Sequence, residues 1–461
     1  MLDFEAALAG AGADAGLVPA QAAREIADAC EAVEIDPAQL GRGTAENGTP
    51  VPALLAALTA RLSAEAGAQL HRGATSQDVL DTAAMLIARR ALVPLLDDLE
   101  GAAAACAALA ERHRDTLQVA RTLLQQALPT TFGLTAAGWL AGLDESAAAL
   151  VEIRERTLAV QLGGAAGTLA SLGESGVEIA TGLARRLELA EPALPWHSNR
   201  VRPALLAGAL GTCCGVAGKI GTDVVLLAQT ELAEVSEGAG DGGSSTLPHK
   251  RNPVAAVTAR ACAERAPGLV ATMLAAMGAE LQRAAGAWQA EAETLTELLR
   301  LTGSAVAAVR SVLESLEVSP ERMRANLDQT GGLIMGEALS SALTESLGRG
   351  SAHELLQQAS RSALRRGVPL REAVIEIPEI VAALGEDGID AALEPSAYLG
   401  STAELIDRAL AAHRERTREQ RGGRLRGAPP ARGPARRARN RARQLAGQQP
   451  AHVGRSGGPA R

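Results

Sequence analysis

An all-α protein is expected from three features of the sequence. Apolar residues make up 47% of the chain but aromatics only 1%, so a core has to be built from Ala, Leu, Val and Ile. Ala and Leu are strong helix formers. Few stretches alternate apolar and polar residues as half-buried strands do, whereas Leu206, Leu210, Cys213, Ala217, Ile220, Val224 and Leu227 recur at helical spacings of three and four. At 461 residues the chain has room for two to four domains and a large core.

Residues 1–72 read as a small helical domain, with helices at Phe4 to Leu8, Gln21 to Val33 and Pro52 to Glu65 separated by Gly, Pro and Asn. Residues 73–325 read as a central bundle of long helices. It opens on Gly73-Ala74-Thr75-Ser76-Gln77-Asp78, where Thr75 and Asp78 have capping-box spacing, and the helix that follows is expected to kink near Pro94. Helices are expected from Leu99 to Leu117, then from Phe132 to Leu162, ending at Gly163-Gly164, and then up to Leu187. Pro195-Trp196-His197-Ser198-Asn199-Arg200 breaks the pattern.

From Pro203 to Gly238 a single helix of about 35 residues would span roughly 50 Å. A second long apolar segment runs from Gly268 to Glu317. Such lengths imply apolar faces available to other subunits. Glu231, Glu234 and Glu237 would share one face at the end of the first helix, either solvated or placed to position Lys250. Residues 326–415 read as a small helical domain with helices near Ser351–Arg366, Leu370–Leu384 and Ala403–His413. Residues 416–461, rich in Arg, Gly, Ala and Pro, are expected to be a disordered tail.

The formal charge of −8 is unevenly spread: the tail from Arg416 carries net +12 and residues 1–415 carry −20. Nucleic-acid binding by the acidic folded part is therefore not expected. Cys30, Cys106, Cys213, Cys214 and Cys262 lie in helix-like apolar segments, and their odd number and spacing suit buried thiols rather than a disulfide framework or a metal site. Asp3 and Glu5 stand where a secretory signal needs positive charge, and no stretch reads as a membrane span, so a cytoplasmic protein is expected. No metal or organic cofactor is implied, because no His/Cys/Asp cluster has ligand spacing and the glycine-rich loop lacks a preceding strand.

The densest chemistry lies in Gly242-Gly243-Ser244-Ser245-Thr246-Leu247-Pro248-His249-Lys250-Arg251-Asn252-Pro253. The glycines allow close backbone approach, the serines supply hydroxyls, and Lys250 and Arg251 supply positive charge. Asn252 reads as an N-cap with Pro253 at the first helical position, giving a positive helix terminus suited to an anion. A Gly/Ser linker would explain the first half of the stretch, but it has no use for two cations followed by a cap.

This stretch closely resembles the signature loop of the fumarase/aspartase superfamily, and TLPHKRNP is most similar to the 3-carboxy-cis,cis-muconate cycloisomerase branch. The resemblance covers about residues 2–413. His71–Thr82 resembles the superfamily's first signature region, in which Thr75 and Ser76 would hold a substrate carboxylate. Capping alone would otherwise account for Thr75. Ala120–Thr131 resembles the second region, where many of these lyases have a histidine two residues after the arginine; here that position is Leu123, which argues against the ammonia and purine lyases. Gly138-Trp139 also matches the cycloisomerase branch.

By this resemblance the fold has three domains, the first of them shortened here, and the assembly is a homotetramer whose active sites each draw on three chains. Ser244 would be the proton donor. Thr75, Ser76, Arg121, Thr122, Gln125, Ser245, Lys250 and Asn252 would bind a small tricarboxylate, with His197 and Arg200 as further contacts. A lone histidine beside a tryptophan is otherwise more often a packed residue. The alternatives are a C–N lyase of the same superfamily, such as adenylosuccinate lyase, and a non-catalytic scaffold or nucleic-acid-associated protein using the basic tail.

Overall fold

The computed structural model describes residues 1–238, Leu247 and residues 250–426. Among the described residues the chain is helical apart from one β-hairpin, one long-range antiparallel strand pair and one isolated parallel bridge. Helices α1 (Leu2–Asp14), α2 (Ala20–Ala32), α3 (Pro37–Asn47), α4 (Val51–Thr59) and α5 (Ala64–Gly67) enclose their own apolar cluster, centred on Ile26, Leu54 and Leu58. Helix α6 (Ser76–Arg112) follows; strands β1 (Leu117–Thr122) and β2 (Gln125–Thr131) form an antiparallel hairpin; then come α7 (Phe132–Glu152) and α8 (Gly176–Leu187). Helices α9 (Val201–Leu227), α10 (Val254–Ala275) and α11 (Glu291–Ser315) pack with α6 and α7 around the main core. Strands β3 (Val235–Glu237) and β4 (Leu316–Val318) pair beside the end of this bundle. The chain continues through α12 (Pro320–Asp328), α13 (Gly336–Leu347), α14 (Arg349–Arg366), α15 (Leu370–Ile375), α16 (Pro378–Leu393) and α17 (Thr402–Arg426). Leu339, Leu343, Leu370, Val374 and Ile380 form a separate core among α13 to α16.

Small residues let the bundle close. A Cβ at Gly221 of α9 would sit 2.7 Å from the Ala256 carbonyl oxygen of α10, so only glycine permits that approach. The cysteines are thiols, four of them buried; burial pushes Cys213 up to about 12 and Cys214 up to about 11, which leaves them unionised near neutral pH.

The structure corrects several element boundaries. Helix α6 runs unbroken through Pro94, where two shorter helices were expected. The expected helix to Leu162 ends at Glu152 in a π-helical turn, Ile153–Thr157, and Ala159 then bridges Ala190 in parallel. The expected helix to Gly238 stops at Leu227, because the chain turns back through Ala233 (φ +50°) and carries Glu234 inward. The segment Gly268–Glu317 is the end of α10, a loop and α11. Contrary to the sequence reading, α9 is long and apolar enough to cross a membrane by composition, but more than half of it is buried against α7, α10 and α11.

Candidate active site

The first signature stretch is built on a buried carboxylate. Thr75 precedes α6 with extended backbone, and Asp78 in the first turn accepts from the Thr75 N–H at 3.0 Å. The same fully buried carboxylate accepts from the N–H groups of Gly163 and Gly164, each at 3.0 Å, and lies 2.7 Å from His197 Nε2. Gly164 has φ +67°, and a Cβ there would meet the Gly73 carbonyl oxygen at 2.8 Å. Asp78 thus ties the Thr75–Ser76 turn to the 163–164 and 197 loops. The Ser76 hydroxyl has no hydrogen-bond partner among the described residues and is available to a ligand.

Arg200 lies in the same layer, at the head of α9, between two carboxylates. Its Nη1 and Nη2 donate to Asp81 at 2.8 and 3.0 Å, Nε and Nη2 donate to Glu291 at 2.8 and 2.5 Å, and Nη1 also reaches the His197 carbonyl at 3.4 Å. Trp196 covers the guanidinium at 4.9 Å, and Trp288 Nε1 donates to Asp81 at 3.0 Å. All five guanidinium donors are therefore used within the chain. Burial alone would depress the Arg200 pKa, but the hydrogen bonds it donates to Glu291 and Asp81, and their charge, hold it above its ordinary value. Glu291 goes up as well, because burial outweighs its share of the one cation that two carboxylates divide. In this chain the Arg200 guanidinium is therefore turned to Asp81, Glu291 and the His197 carbonyl. His197 is likewise buried, with its Nε2 held by Asp78.

The second stretch is a β-hairpin. Arg121 on β1 forms a bidentate pair with the fully buried Glu234, at 2.5 and 3.2 Å. Gln118 Nε2 and Asn326 Nδ2 each donate to that carboxylate at 2.9 Å. Thr122 and Gln125 face each other at the tip and are exposed, with Leu123 and Leu124 between them at φ +51° and +62°. Two leucines in left-handed conformation, 97% and 71% exposed, are strained and unburied in an isolated chain.

In the third stretch, Ser244, Ser245 and His249 lie outside the described residues. Lys250 is exposed, and its N–H donates to the Leu247 carbonyl at 3.0 Å. Asn252 is not the N-cap: Pro253 occupies that position and α10 begins at Val254. The cap comes from Glu237, which accepts from the Ala255 and Ala256 N–H groups at 3.2 and 2.8 Å. The helix terminus expected to receive an anion already holds a carboxylate of the chain. Replacing Glu237 with alanine is expected to cost about 1 kcal/mol in a urea titration, as loss of a cap does.

The candidates thus fall into two groups. Thr75, Ser76, His197 and Arg200 sit at the head of α9. Arg121 and the start of α10 are tied through Glu234 and Glu237 to the segment just beyond its other end, where the Glu234 N–H donates to the Leu227 carbonyl at 2.9 Å. The 27 residues of α9 separate the two groups by about 40 Å. One chain cannot wrap both around a small molecule. Sequence reading missed Asp78 as an anchor, Glu234 and Glu237 as inward carboxylates, and Arg283. Arg283 Nη2 donates to the Gly164 and Ala165 carbonyls at 2.8 and 3.0 Å, and no carboxylate lies in salt-bridge range among the described residues. It is a positive charge resting on the loop next to Thr75. The signal that hid it was the apparently continuous helix over residues 268–317.

The chain is similar to known proteins over most of its length. The family model described as Lyase matches residues 2–268, and the one described as Adenylosuccinate lyase C-terminus matches residues 332–409. The chain is 47% identical over 415 residues to the 3-carboxy-cis,cis-muconate cycloisomerase of Bradyrhizobium diazoefficiens, covering 89% of this chain and 92% of that one. It is 42% identical over 429 residues to the nitrosuccinate lyase of Streptomyces davaonensis, covering 89% of each. The crystal structure of the 3-carboxy-cis,cis-muconate lactonizing enzyme from Pseudomonas putida matches with a TM-score of 0.85 and 41% identity, over 90% of this chain and 94% of that one.

Proposed function

The chain belongs to the fumarase/aspartase superfamily of lyases, and from that membership we propose that it is a 3-carboxy-cis,cis-muconate cycloisomerase, forming 4-carboxymuconolactone in protocatechuate breakdown. The observation that carries this reading is the likeness to cycloisomerases over nine-tenths of the chain, with Leu123 at the hairpin tip where the superfamily's ammonia and purine lyases have histidine.

The reaction asks little of an enzyme base. A carboxylate of the substrate, ionised near neutral pH, attacks a ring-closing carbon and forms the C–O bond. The carbon–carbon π pair moves to the carbon alpha to another carboxylate, and that carbon takes up a proton. The protein has to supply the proton and balance the enolate-like charge. Ser244 is the proposed proton donor. Thr75, Ser76, Arg121, Thr122, Gln125, Ser245, Lys250 and Asn252 are the proposed carboxylate contacts, and Arg283 joins them as a cation with only carbonyl partners.

Because the two groups stand about 40 Å apart in one chain, we infer a homotetramer whose sites combine the head of α9 from one copy with hairpins and loops from others. Exposed Leu205, Val254, Val257 and Leu274 on α9 and α10, together with the hairpin tip, offer the apolar surface for this. Assembly is expected in the cytoplasm.

The test is a comparison of kcat/KM for 3-carboxy-cis,cis-muconate, unsubstituted muconate, adenylosuccinate and nitrosuccinate on purified protein. The reading expects 3-carboxymuconate to lead by orders of magnitude; elimination from a C–N substrate with no lactonisation would replace it with the lyase reading. Removing residues 427–461 is expected to leave turnover unchanged in the same assay, and loss of turnover would give the basic segment a role in the enzyme.

A further inference from the structure

The segment 192–202 serves two surroundings. His197 and Arg200 turn to Asp78 and Asp81, whereas Pro192, Leu194, Pro195, Trp196 and Val201 line a groove of about 590 Å³, a volume that suits a small molecule. Arg156 and Arg202 also line it, and no acidic residue does. Arg202 Nη1 donates to the Arg156 and Thr157 carbonyls at 3.3 and 2.8 Å, in the π-helical turn after α7, so the guanidinium is held by backbone alone. Its Nε and Nη2 have no hydrogen-bond partner, and no carboxylate lies in salt-bridge range, among the described residues. Burial lowers the Arg202 pKa and no neighbouring anion raises it. Holding the turn explains Nη1 and leaves the rest of the fork idle. The wall opposite is preformed: the Trp196 N–H donates to Gln161 Oε1 at 2.7 Å and its indole N–H to the Val160 carbonyl at 2.8 Å. Leu194, 77% exposed, lines this groove and also a second one of about 480 Å³, which shares residues 192–195 but is lined by Glu191 and by no cation. Charge therefore separates two grooves of similar size.

We propose that the groove between Leu194 and Arg202 is an accessory binding site for a small monocarboxylate with an apolar body, its carboxylate on Arg202 Nε and Nη2 and its body against Leu194, Pro195 and Val201. The Nε/Nη2 edge of a guanidinium is the fork that meets a carboxylate with two parallel N–H bonds. Apolar walls around a single such fork select against a polycarboxylate, whose further charges would be desolvated without partners. The occupant stands against Trp196, which covers the Arg200 guanidinium at 4.9 Å, and so abuts the site layer without entering it. Nothing in this assignment depends on which reaction the chain catalyses.

The probe is 4-bromobenzoate, with 4-bromobenzamide as its neutral counterpart, and binding to the full chain is measured by calorimetry. The wild type is expected to bind the acid with a Kd below about 1 mM and the amide about tenfold more weakly or worse. Arg202→Gln and Leu194→Asp are each expected to weaken binding of the acid about tenfold or more, the first by removing the fork and the second by placing a like charge at the groove. Val177→Asp, in the second groove, is expected to leave the affinity unchanged. Leu194 and Val177 are both well exposed, so these two variants keep the fold even where Arg202→Gln loosens the turn it holds, and unfolding midpoints verify this. In crystals grown with the acid, the anomalous signal of bromine is expected beside Leu194. Absence of binding by the wild type, equal affinity for acid and amide, equal losses in Val177→Asp and Leu194→Asp, or bromine found only elsewhere would each overturn the proposal. Should the wild type fail to bind and Leu194→Asp dissociate the oligomer, the groove is a contact between copies and the accessory site is likewise refuted.

Discussion

Ser244→Ala is expected to lower kcat on 3-carboxy-cis,cis-muconate by about 10²–10⁴-fold, the range that one positioned proton donor contributes. The substrate's own carboxylate remains the nucleophile, so ring closure loses only the partner that protonates the carbon. A serine hydroxyl is a weak acid, and Lys250, six residues further on, is the charge in the same stretch that can stabilise its alkoxide. KM should change far less than kcat, because the proposed carboxylate contacts are other side chains. Steady-state kinetics with sedimentation of the variant check this; near-normal kcat in an intact assembly would remove Ser244 from the chemistry.

Arg200→Ala carries the largest expected effect on stability. The substitution leaves Asp81 and Glu291 buried around an empty place, and breaking a buried pair from one side costs about 3–5 kcal/mol. The loss should appear as a lower unfolding midpoint, together with loss of turnover, since the His197 carbonyl and Trp288 belong to the same network. A substrate-binding arginine would behave differently: the midpoint would hold and KM would rise. Comparing thermal unfolding with KM for this one variant decides between the two roles, and an unchanged midpoint with raised KM would restore Arg200 to the substrate.

How much of this was legible in the sequence depended on whether the deciding contact was local. The helical class followed from Ala and Leu content and from the spacing of Leu206, Leu210 and Cys213, which are properties of neighbouring residues. The Thr75/Asp78 spacing also predicted a real helix start. What failed were interactions across the chain. Nothing near Arg200 reveals that Asp81, 119 residues earlier, consumes its donors. Glu234 and Glu237 read as either solvated or placed beside Lys250 because the helix was extended through them; once it stops at Leu227, one carboxylate turns under Arg121 and the other caps α10. Asn252 had the right residue type for a cap, but Pro253 holds the cap position and a carboxylate from another segment takes the capping role. The hairpin escaped because its alternation is short and its tip carries two leucines where Asn-Gly would have announced the turn.

The central claim is that side chains held about 40 Å apart in one chain meet on a single substrate only between copies. Complementation tests it most directly. A variant altered at the start of α6, beside the head of α9 (Thr75→Val with Ser76→Ala), and one altered at the hairpin tip (Thr122→Val with Gln125→Ala) are each prepared, shown to have lost turnover, then unfolded, mixed and reassembled. Turnover that returns in the mixture and in neither parent is the predicted result, because some sites then draw intact residues from both. A mixture as inactive as its parents, in correctly assembled oligomers, would mean that each chain builds its own site and would contradict the account.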